Sequence, residues 1–301
     1  MKVLFVRFSS IGDLVLTTPI IRCWKKQHPN DELHFVCKKN FTNILNPNPH
    51  LEKVHAFDNF KHILPELKQE KFDLIVDLHK NLRSTRLAFS LRVKRISFDK
   101  LSVAKYKSVR KSNVSYLPNI HLVDRYFEGF KDYIINDNKG LDFYGEKKPE
   151  FFDKLPTEYN VLVVGAAHNT KKIPLEILKK IQDKSDLPFV ILGTKDDNKK
   201  EFETLKNCIN LCGKSSLYES AFIVKQSETV YTSDTGLMHI ASAFKKKIEV
   251  FWGNTVPEFG MYPYQTEFTN HQVQLDCRPC SKIGHETCPK GHFNCMMMQE
   301  V

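Results

Sequence analysis

Short apolar segments alternate with segments of helical periodicity along most of the chain. The short segments are almost continuously apolar, which is typical of strands buried on both faces of a parallel sheet. The predicted strands span residues 2–8, 33–37, 72–78, 160–164, 188–192, 230–232 and 248–252. The predicted helices between them span residues 14–27, 174–182, 217–224 and 237–243. This alternation predicts an α/β fold, in which an open parallel sheet carries helices on both faces.

The alternation lapses into a polar, proline-bearing connection around residues 147–158 and then restarts. We therefore place a domain boundary near residue 150, with one Rossmann-like domain over residues 1–150 and a second over residues 151–301. Two α/β units of similar size predict two domains that face each other across a cleft. Ligands would then bind beyond the carboxyl ends of the strands, where loops lead into helix N-termini.

The composition is that of a globular protein, with 41% hydrophobic and 27% charged residues among 301. No apolar segment approaches the roughly 18–20 residues that a membrane span requires. The apolar part of the N-terminal segment is also too short for a secretory signal. We therefore expect a soluble, cytoplasmic protein.

The net charge of +10 is concentrated in one segment of the chain. Residues 80–111 contain eleven basic residues and a single acidic one, Asp99, so the rest of the chain is neutral. This concentration indicates either a surface that docks an anionic partner or an ordinary solvated surface of helix and loop. Nucleic acid is disfavoured as the partner, because aromatic residues such as Phe98 and Tyr106 are sparse in the segment and no RNA-binding motif is present.

The loop after the first predicted strand, residues 9–13, contains Ser9, Ser10, Gly12 and Asp13. Both serines and Asp13 are residue types that cap the N-terminus of a helix, and capping is one interpretation of Asp13. The other is that this carboxylate, at the mouth of a cleft, acts as a general base. Gly12 permits a tight turn but is the only glycine of the loop, so the G-x-G-x-x-G fingerprint of dinucleotide-binding oxidoreductases is absent.

A second strand–turn–helix segment covers residues 233–241. Asp234 and Thr235 are good N-cap residues, and Gly236 lets a ligand approach the backbone closely. Free N–H groups at such a helix start favour phosphate. His239 falls one turn into the helix, where it either contacts phosphate or is a buried structural histidine.

A third loop, residues 165–174, follows the first strand of the second domain. Its small residues permit close approach of the backbone, and a lysine before the helix would supply a positive charge for phosphate. Pro174 suits the first helical position. The alternative is a solvent-exposed loop whose lysines serve solubility.

Four of the eight cysteines form a C-x2-C-x7-C-x6-C pattern near the C-terminus, at Cys277, Cys280, Cys288 and Cys295. The spacing raises the possibility of a zinc site, for which His285 and His292 are further potential ligands. However, the second half of the pattern lacks the usual paired spacing, and a cytoplasmic chain makes structural disulfides unexpected. We favour reduced, packed thiols and no metal.

At these loops the chain resembles the family 9 glycosyltransferases, whose best-known members are the ADP-heptose:lipopolysaccharide heptosyltransferases. The resemblance covers nearly the whole length. It depends on the segments RFSSIGDLVLTTP (7–19), FDLIVDL (72–78), NLRS (81–84), DTGLMHIA (234–241), FWGNTVP (251–257) and the cysteine-bearing end, 277–296.

The resemblance implies a GT-B fold and a metal-independent, inverting transfer from an ADP-sugar, with ADP-heptose as the expected donor and no other cofactor. It assigns to Asp13 the role of general base on the acceptor hydroxyl. The residues that it matches to the site for the nucleotide phosphates are Lys171, Asp234, Thr235, Gly236, Met238 and His239. Where the family usually has tryptophan before the proline this chain has Ile173, which leaves the lysine register open between Lys171 and Lys172.

We therefore expect transfer of a heptosyl or related residue to a lipopolysaccharide core or Kdo–lipid A acceptor. The protein would contact the cytoplasmic face of the inner membrane peripherally and would bind no nucleic acid. The residues expected to bind the acceptor are Ser9, Ser10, Gly12, Arg83, Arg92, Lys94 and Arg95. The alternatives are a transferase of the same fold with another nucleotide sugar or acceptor, an epimerase of Rossmann type, and a basic nucleic-acid-binding protein.

Overall fold

The structure, a computed structural model, describes residues 1–301 and divides into two compact units. The first unit comprises Met1–Lys100 and Leu122–Gly145, and the second comprises Leu101–His121 and Glu146–Val301. Each unit contains one parallel sheet with helices packed against it. The predicted α/β class is therefore confirmed.

The first sheet has five strands in the order β3-β2-β1-β4-β5, and all neighbouring strands are parallel. Its strands are β1 (Lys2–Val6), β2 (Glu32–Lys38), β3 (Lys53–Phe57), β4 (Leu74–Asp77) and β5 (Lys94–Ser97). The central strands β1 and β4 are buried almost completely, as their continuously apolar sequences require. The loops that follow these two strands therefore emerge side by side at the carboxyl edge of the sheet.

The second sheet has six strands in the order β11-β10-β9-β6-β7-β8, again all parallel. Its strands are β6 (Asn160–Val163), β7 (Phe189–Leu192), β8 (Cys208–Asn210), β9 (Thr229–Ser233), β10 (Lys247–Trp252) and β11 (Phe268–Gln272). The central strands β6, β9 and β10 send their following loops to one edge, and these loops hold the candidate residues of this unit.

The helices connect these strands and cover the faces of the sheets. They are α1 (Ile11–Val15), α2 (Thr18–Gln27), α3 (Thr42–Leu45), α4 (Phe60–Gln69), α5 (Leu82–Leu91), α6 (Ser102–Lys111), α7 (Leu122–Gly129), α8 (Leu175–Gln182), α9 (Leu217–Gln226), α10 (Gly236–Ala243) and α11 (Asn294–Met297). The helix predicted over residues 14–27 is in fact two helices, α1 and α2, and the first of them begins three residues earlier than predicted. Pro19 explains the break, because it lacks the N–H that a continuous helix would need at that position.

One segment lies in a different unit from the one that the boundary at residue 150 implied. Leu101–His121, which includes α6, groups with the second unit. The reason is an apolar cluster in which Leu117 packs with Val256 and Phe259, and Ala104 and Val109 of α6 pack against these three side chains. Burial of this apolar surface holds the segment against the second unit although it lies within the sequence of the first.

Candidate active site

In the first unit, Asp13 lies in the first turn of α1, directly beyond the carboxyl end of β1. Ser10 is the N-cap residue of this helix, and its backbone N–H and hydroxyl both donate to Oδ2 of Asp13, at 3.1 and 2.9 Å. Asp13, the third residue of the helix, thus accepts from the N-cap residue, as the acidic member of a capping box does. The capping interpretation of Asp13 is therefore confirmed, while its role as a base stays a prediction.

The other carboxylate oxygen of Asp13, Oδ1, forms an ion pair with the guanidinium of Arg7. Arg7 is itself buried, and it donates to the carbonyl oxygens of Ser9 and Leu78, at 2.8 and 2.9 Å. Burial would raise the pKa of Asp13, but the charge of Arg7 and the donors of Ser10 outweigh it and hold this pKa below its ordinary value. The carboxylate is therefore ionised at neutral pH, and 16% of the side chain is exposed to solvent.

His79 also lies beside this loop, and none of the motifs in the sequence includes it. Its ring lies against Phe8 at a centroid distance of 5.0 Å, and its Nδ1 accepts from the backbone N–H of Phe8. Burial, and then the charges of Arg7 and Lys100, lower the pKa of His79 to about 3. The neutral ring therefore carries its hydrogen on Nε2, as a donor. His79 could have been predicted from its position in the sequence just after β4, the strand next to β1.

The buried carboxylate of Asp77 organises the loop after β4. It accepts from the backbone N–H groups of His79 and Lys80, at 3.0 and 2.8 Å, and from the hydroxyl of Ser84, at 2.7 Å. Asp77 thus fixes the loop that carries His79 and leads into α5. Nη1 of Arg95 lies 3.4 Å from Asp77 and donates to the hydroxyl of Thr85, so Arg95 is committed to this internal network.

The structure separates the predicted acceptor residues into two groups. Ser9, Ser10 and Gly12 lie in the Asp13 loop, and Arg83 is exposed in the first turn of α5 at the same edge of the sheet. Arg92 and Lys94 lie at the opposite edge, because Lys94 begins β5 in register with Leu74 at the start of β4. The structure does not bring these two basic residues to the Asp13 loop.

In the second unit, Lys171 and Asp234 form an ion pair between Nζ and Oδ2 at 2.6 Å. Lys171 follows β6, and Asp234 follows β9, the neighbouring strand. The hydroxyl of Thr255, which follows β10, also donates to Oδ2 of Asp234, at 3.2 Å. Loops from three adjacent strands thus converge on one carboxylate at the carboxyl edge of this sheet.

Lys172 has a different partner from Lys171. It pairs with the carboxylate of Asp197 at 2.8 Å, and the same carboxylate accepts from the backbone N–H and the hydroxyl of Thr194. The structure therefore places Lys171, and not Lys172, beside the loop after β9. The assignment of Lys171 as the phosphate-binding lysine stays a prediction.

Helix α10 starts beside this ion pair, with Thr235 as its N-cap residue. The hydroxyl of Thr235 accepts from the backbone N–H of Met238 at 3.4 Å, and Gly236 is the first helical residue. The side chains of Met238 and His239 are buried, and Met238 is part of the hydrophobic core. The end of α10 that faces the loop therefore offers backbone N–H groups and the positive end of its helix dipole to a ligand.

Gly253 allows the loop after β10 to pack tightly against the segment that carries Lys171. A Cβ atom at this position would lie 2.5 Å from the carbonyl oxygen of Thr170. The hydroxyl of Thr170 donates to Oδ1 of Asn254 at 3.0 Å, and its backbone N–H donates to the carbonyl of His285. These contacts fix the backbone just before Lys171.

All eight cysteines are free thiols. Cys277, Cys280 and Cys288 are partly buried, whereas Cys295 is buried and burial raises its pKa to about 11. Sγ of Cys277 lies 3.8 Å from Nε2 of His292. Burial also raises the pKa of Cys280, and the neighbouring Cys277 and Cys288 add to this effect. The four C-terminal cysteines therefore lie near one another as packed free thiols.

Comparison with known protein families shows that residues 61–290 match the family described as glycosyltransferase family 9 (heptosyltransferase). This match covers well over half of the chain. The chain belongs to glycosyltransferase family 9. The predicted family and the predicted class of enzyme, a glycosyltransferase, are therefore confirmed.

Relatives of this glycosyltransferase agree with the family. Lipopolysaccharide heptosyltransferase 1 of Campylobacter coli is 24% identical over 294 residues, which cover 85% of this chain and 84% of the relative. The glycosyl transferase family 9 structure from Veillonella parvula covers 89% of this chain and 85% of its own, with 19% identity and a TM-score of 0.72. E. coli heptosyltransferase WaaC with ADP-2-deoxy-2-fluoro heptose covers 92% and 94%, with 21% identity and a TM-score of 0.66.

These structural likenesses confirm the predicted GT-B fold for this family 9 glycosyltransferase. Within that fold, both candidate sites lie where loops leave the carboxyl ends of parallel strands, as ligand sites in open α/β sheets do. None of its helices has the length and apolar character needed to cross a membrane.

Proposed function

We propose that this family 9 glycosyltransferase moves a heptosyl or related residue from an ADP-sugar to an inner-core acceptor of lipopolysaccharide. The transfer would invert the configuration at the anomeric carbon and would need no metal ion at the reacting atoms. Two comparisons support this choice of substrates. The relative from C. coli is named as a lipopolysaccharide heptosyltransferase, and the E. coli structure is named as a complex with an ADP-heptose analogue.

The observation that carries the proposal is the ionised, solvent-reachable carboxylate of Asp13. In the proposed step the acceptor hydroxyl oxygen attacks the anomeric carbon while its proton passes to Asp13. The bond from the anomeric carbon to the diphosphate oxygen breaks, and ADP leaves with the electron pair. Attack from the face opposite the leaving group gives inversion. The lowered pKa makes Asp13 a weak base that is always in the charged state the reaction needs.

The donor phosphates would bind at the start of α10. Lys171 supplies a positive charge, and the first N–H groups of α10 supply oriented donors, as at other anion sites on helix N-termini. In this proposal Asp234 positions Lys171 through their ion pair, and the same groups stabilise the charge that builds on the departing diphosphate. Preorganised donors of this kind typically contribute about 100-fold or more to a rate.

The acceptor would bind at the carboxyl edge of the first sheet. Ser9, Ser10 and the exposed Arg83 supply polar and basic groups there, and Gly12 lies buried in the same loop. Because Arg92 and Lys94 lie at the other edge, we assign them to contact with anionic lipid at the cytoplasmic face of the inner membrane, and not to the acceptor itself.

The direct test is to incubate the purified enzyme with ADP-heptose and a truncated, Kdo-bearing lipid A, and to analyse the products by mass spectrometry. We expect the acceptor mass to rise by one heptosyl residue with equimolar release of ADP, and the rate to be unchanged by EDTA. Nuclear magnetic resonance of the product should show the anomeric configuration opposite to that of the donor. Transfer from UDP- or GDP-sugars but not from ADP-sugars would contradict the proposed donor, and retention of configuration would contradict the role of Asp13.

A further inference from the structure

A cluster of buried histidines lies beneath α4 in the first unit, away from the Asp13 loop. His34 on β2 and His55 on β3 are each 1% exposed, and the strand register places both on the same face of the sheet. Nδ1 of His34 lies 2.9 Å from Nε2 of His55. Glu70, the residue after α4, brings a carboxylate oxygen to 4.0 Å from Nδ1 of His34. The three groups can offer one ligand atom each, and these atoms all lie within 4.8 Å of one another.

The outward nitrogens of both histidines are held by glutamates. Nε2 of His34 lies 2.7 Å from a carboxylate oxygen of Glu32, and Nδ1 of His55 lies 2.5 Å from one of Glu66. An ionised carboxylate only accepts, so both of these ring nitrogens must carry hydrogen. Histidines that bind a metal are oriented in the same way, with the nitrogen that faces away from the metal donating to a carboxylate or carbonyl.

When both rings are neutral, no hydrogen lies between the two nitrogens that face each other. A neutral imidazole has one N–H, and in each ring it is already used on a glutamate. With both rings neutral, the two facing nitrogens would present lone pairs to each other across 2.9 Å, and a cation between them would relieve this repulsion. A tetrahedral zinc ion, about 2.0–2.1 Å from each nitrogen, needs them only about 3.3 Å apart.

The surrounding charges also favour a cation. Glu32, Glu66 and Glu70 bring three negative charges, and Lys2 and Lys53 bring two positive ones. Both lysines pair with Glu70, the carboxylate that lies nearest to Nδ1 of His34 on the inner side. Their side chains are 24% and 46% exposed, so the two ammonium groups can turn toward solvent when an ion binds.

We propose that Nδ1 of His34, Nε2 of His55 and the carboxylate of Glu70 bind one divalent transition-metal ion of the zinc type. A water molecule fills the fourth position, on the side of the partly exposed glutamates. The ion joins β2, β3 and the end of α4, so it stabilises the edge of the first sheet. It takes no part in sugar transfer, because His34 is paired with Leu4 on β1, at some distance from the loop that carries Asp13.

The experiment uses the full-length protein, stripped with EDTA and dialysed, and titrated with Zn²⁺ or Co²⁺ alone. The variants are His55→Gln and Glu70→Gln, with His62→Gln as the matched control, because His62 is an exposed histidine of α4. We expect the wild-type protein and the control to bind one ion more per chain than either site variant. Co²⁺ at this site should give a visible ligand-field band without the sulfur-to-cobalt charge-transfer band of a cysteine site. Zinc at a hundredfold excess over its Kd should raise the Tm by about 5 °C.

Equal metal stoichiometry in the wild-type protein and both site variants would overturn the proposal. So would a Co²⁺ spectrum in which all bound metal shows sulfur ligation, since the metal would then sit on the C-terminal cysteines. If the wild-type protein binds no ion, an additional proton bridges the two histidines and there is no metal site. Circular dichroism shows whether His55→Gln folds, and Glu70→Gln, which changes a partly exposed side chain, decides the question if it does not.

Discussion

At the scale of single residues, the two carboxylate oxygens of Asp13 serve different contacts. Oδ2 accepts from Ser10 and completes the cap of α1, and Oδ1 pairs with Arg7. The sequence posed capping and general-base catalysis as alternatives, but the same contacts that make the cap also lower the pKa of Asp13 and orient it. Because that pKa lies below 3.8, protonation of Asp13 should not limit the rate at any pH between about 5 and 8.

Lys171 and Lys172 are a matched pair for testing the donor site. Of these two lysines, only Lys171 lies beside Asp234 and α10, and Lys171→Met removes its charge. Lys172→Met removes a charge that is paired with Asp197. A hydrogen bond between charged groups contributes about 1.5–3 kcal/mol, so we expect Lys171→Met to raise the Kd for ADP by about 10- to 100-fold.

Isothermal titration calorimetry with ADP measures this difference. Lys172→Met should leave the Kd within about threefold of the wild-type value, although the unpaired Asp197 should lower its Tm. Equal losses in the two variants would show that the effect is one of overall charge, and the assignment of Lys171 would be wrong.

Residue types and their order after strands predicted Asp13 and Asp234 as candidates, and the resemblance to the family added Lys171. They could not predict which basic side chains are engaged in hydrogen bonds and ion pairs inside the fold. Arg95 reads as one more positive charge of the basic segment, yet its guanidinium is bound to Asp77 and Thr85. The pKa of His79 could not be predicted from its sequence neighbours, because burial and nearby charges in the folded protein lower this pKa to about 3.

At the scale of elements, every strand that the apolar pattern predicted is a central strand of its sheet. The strands that the pattern missed are β3, β5, β8 and β11, and these are the four edge strands. Edge strands are short and only partly buried, so their sequences, such as KRIS and FTNHQ, lack the apolar run that marks a buried strand. An apolar run in the sequence therefore indicates a buried segment, and it predicts a strand only where that strand is buried.

Helix α5 lies within the basic segment, residues 80–111, and carries two exposed apolar side chains. Its side chains Leu82 and Phe89, two turns apart on one face, are 89% and 84% exposed, and Arg86 lies exposed between them. Exposed apolar residues beside arginines are typical of surfaces that lie on anionic lipid. We expect the double substitution of Leu82 and Phe89 by serine to weaken binding to phosphatidylglycerol vesicles roughly tenfold or more, without changing the Kd for ADP.

Sedimentation with vesicles measures this binding, and Ile135→Ser is the matched control, because Ile135 is also an exposed apolar residue of the first unit, at 75%. The control should bind as the wild-type protein does, and binding should fall with salt. If the double variant still binds like the control, the face of α5 is an ordinary solvated surface.

At the scale of the whole molecule, the proposed chemistry is divided between the two units. The proposed base lies in the first unit, and the groups proposed to bind the donor phosphates lie in the second. The sequence predicted two α/β sheets and a family, but a single boundary near residue 150 could not show that Leu101–His121 belongs to the second unit. The basic segment is divided in the same way, with Lys105, Lys107, Arg110 and Lys111 in the second unit, because apolar contacts distant in sequence decide where the segment packs.

The central claim, that Asp13 is the base in transfer from an ADP-sugar, is tested most directly by Asp13→Asn. The amide keeps the size of the side chain but cannot take up the proton, so kcat should fall by about 100-fold or more. The control is Asp58→Asn, which removes an exposed carboxylate of the same unit and should keep the wild-type rate. The measurement is kcat together with the Kd for ADP in each variant. We predict a large loss of kcat in Asp13→Asn with the Kd unchanged, and a kcat within a few fold of wild type would contradict the account.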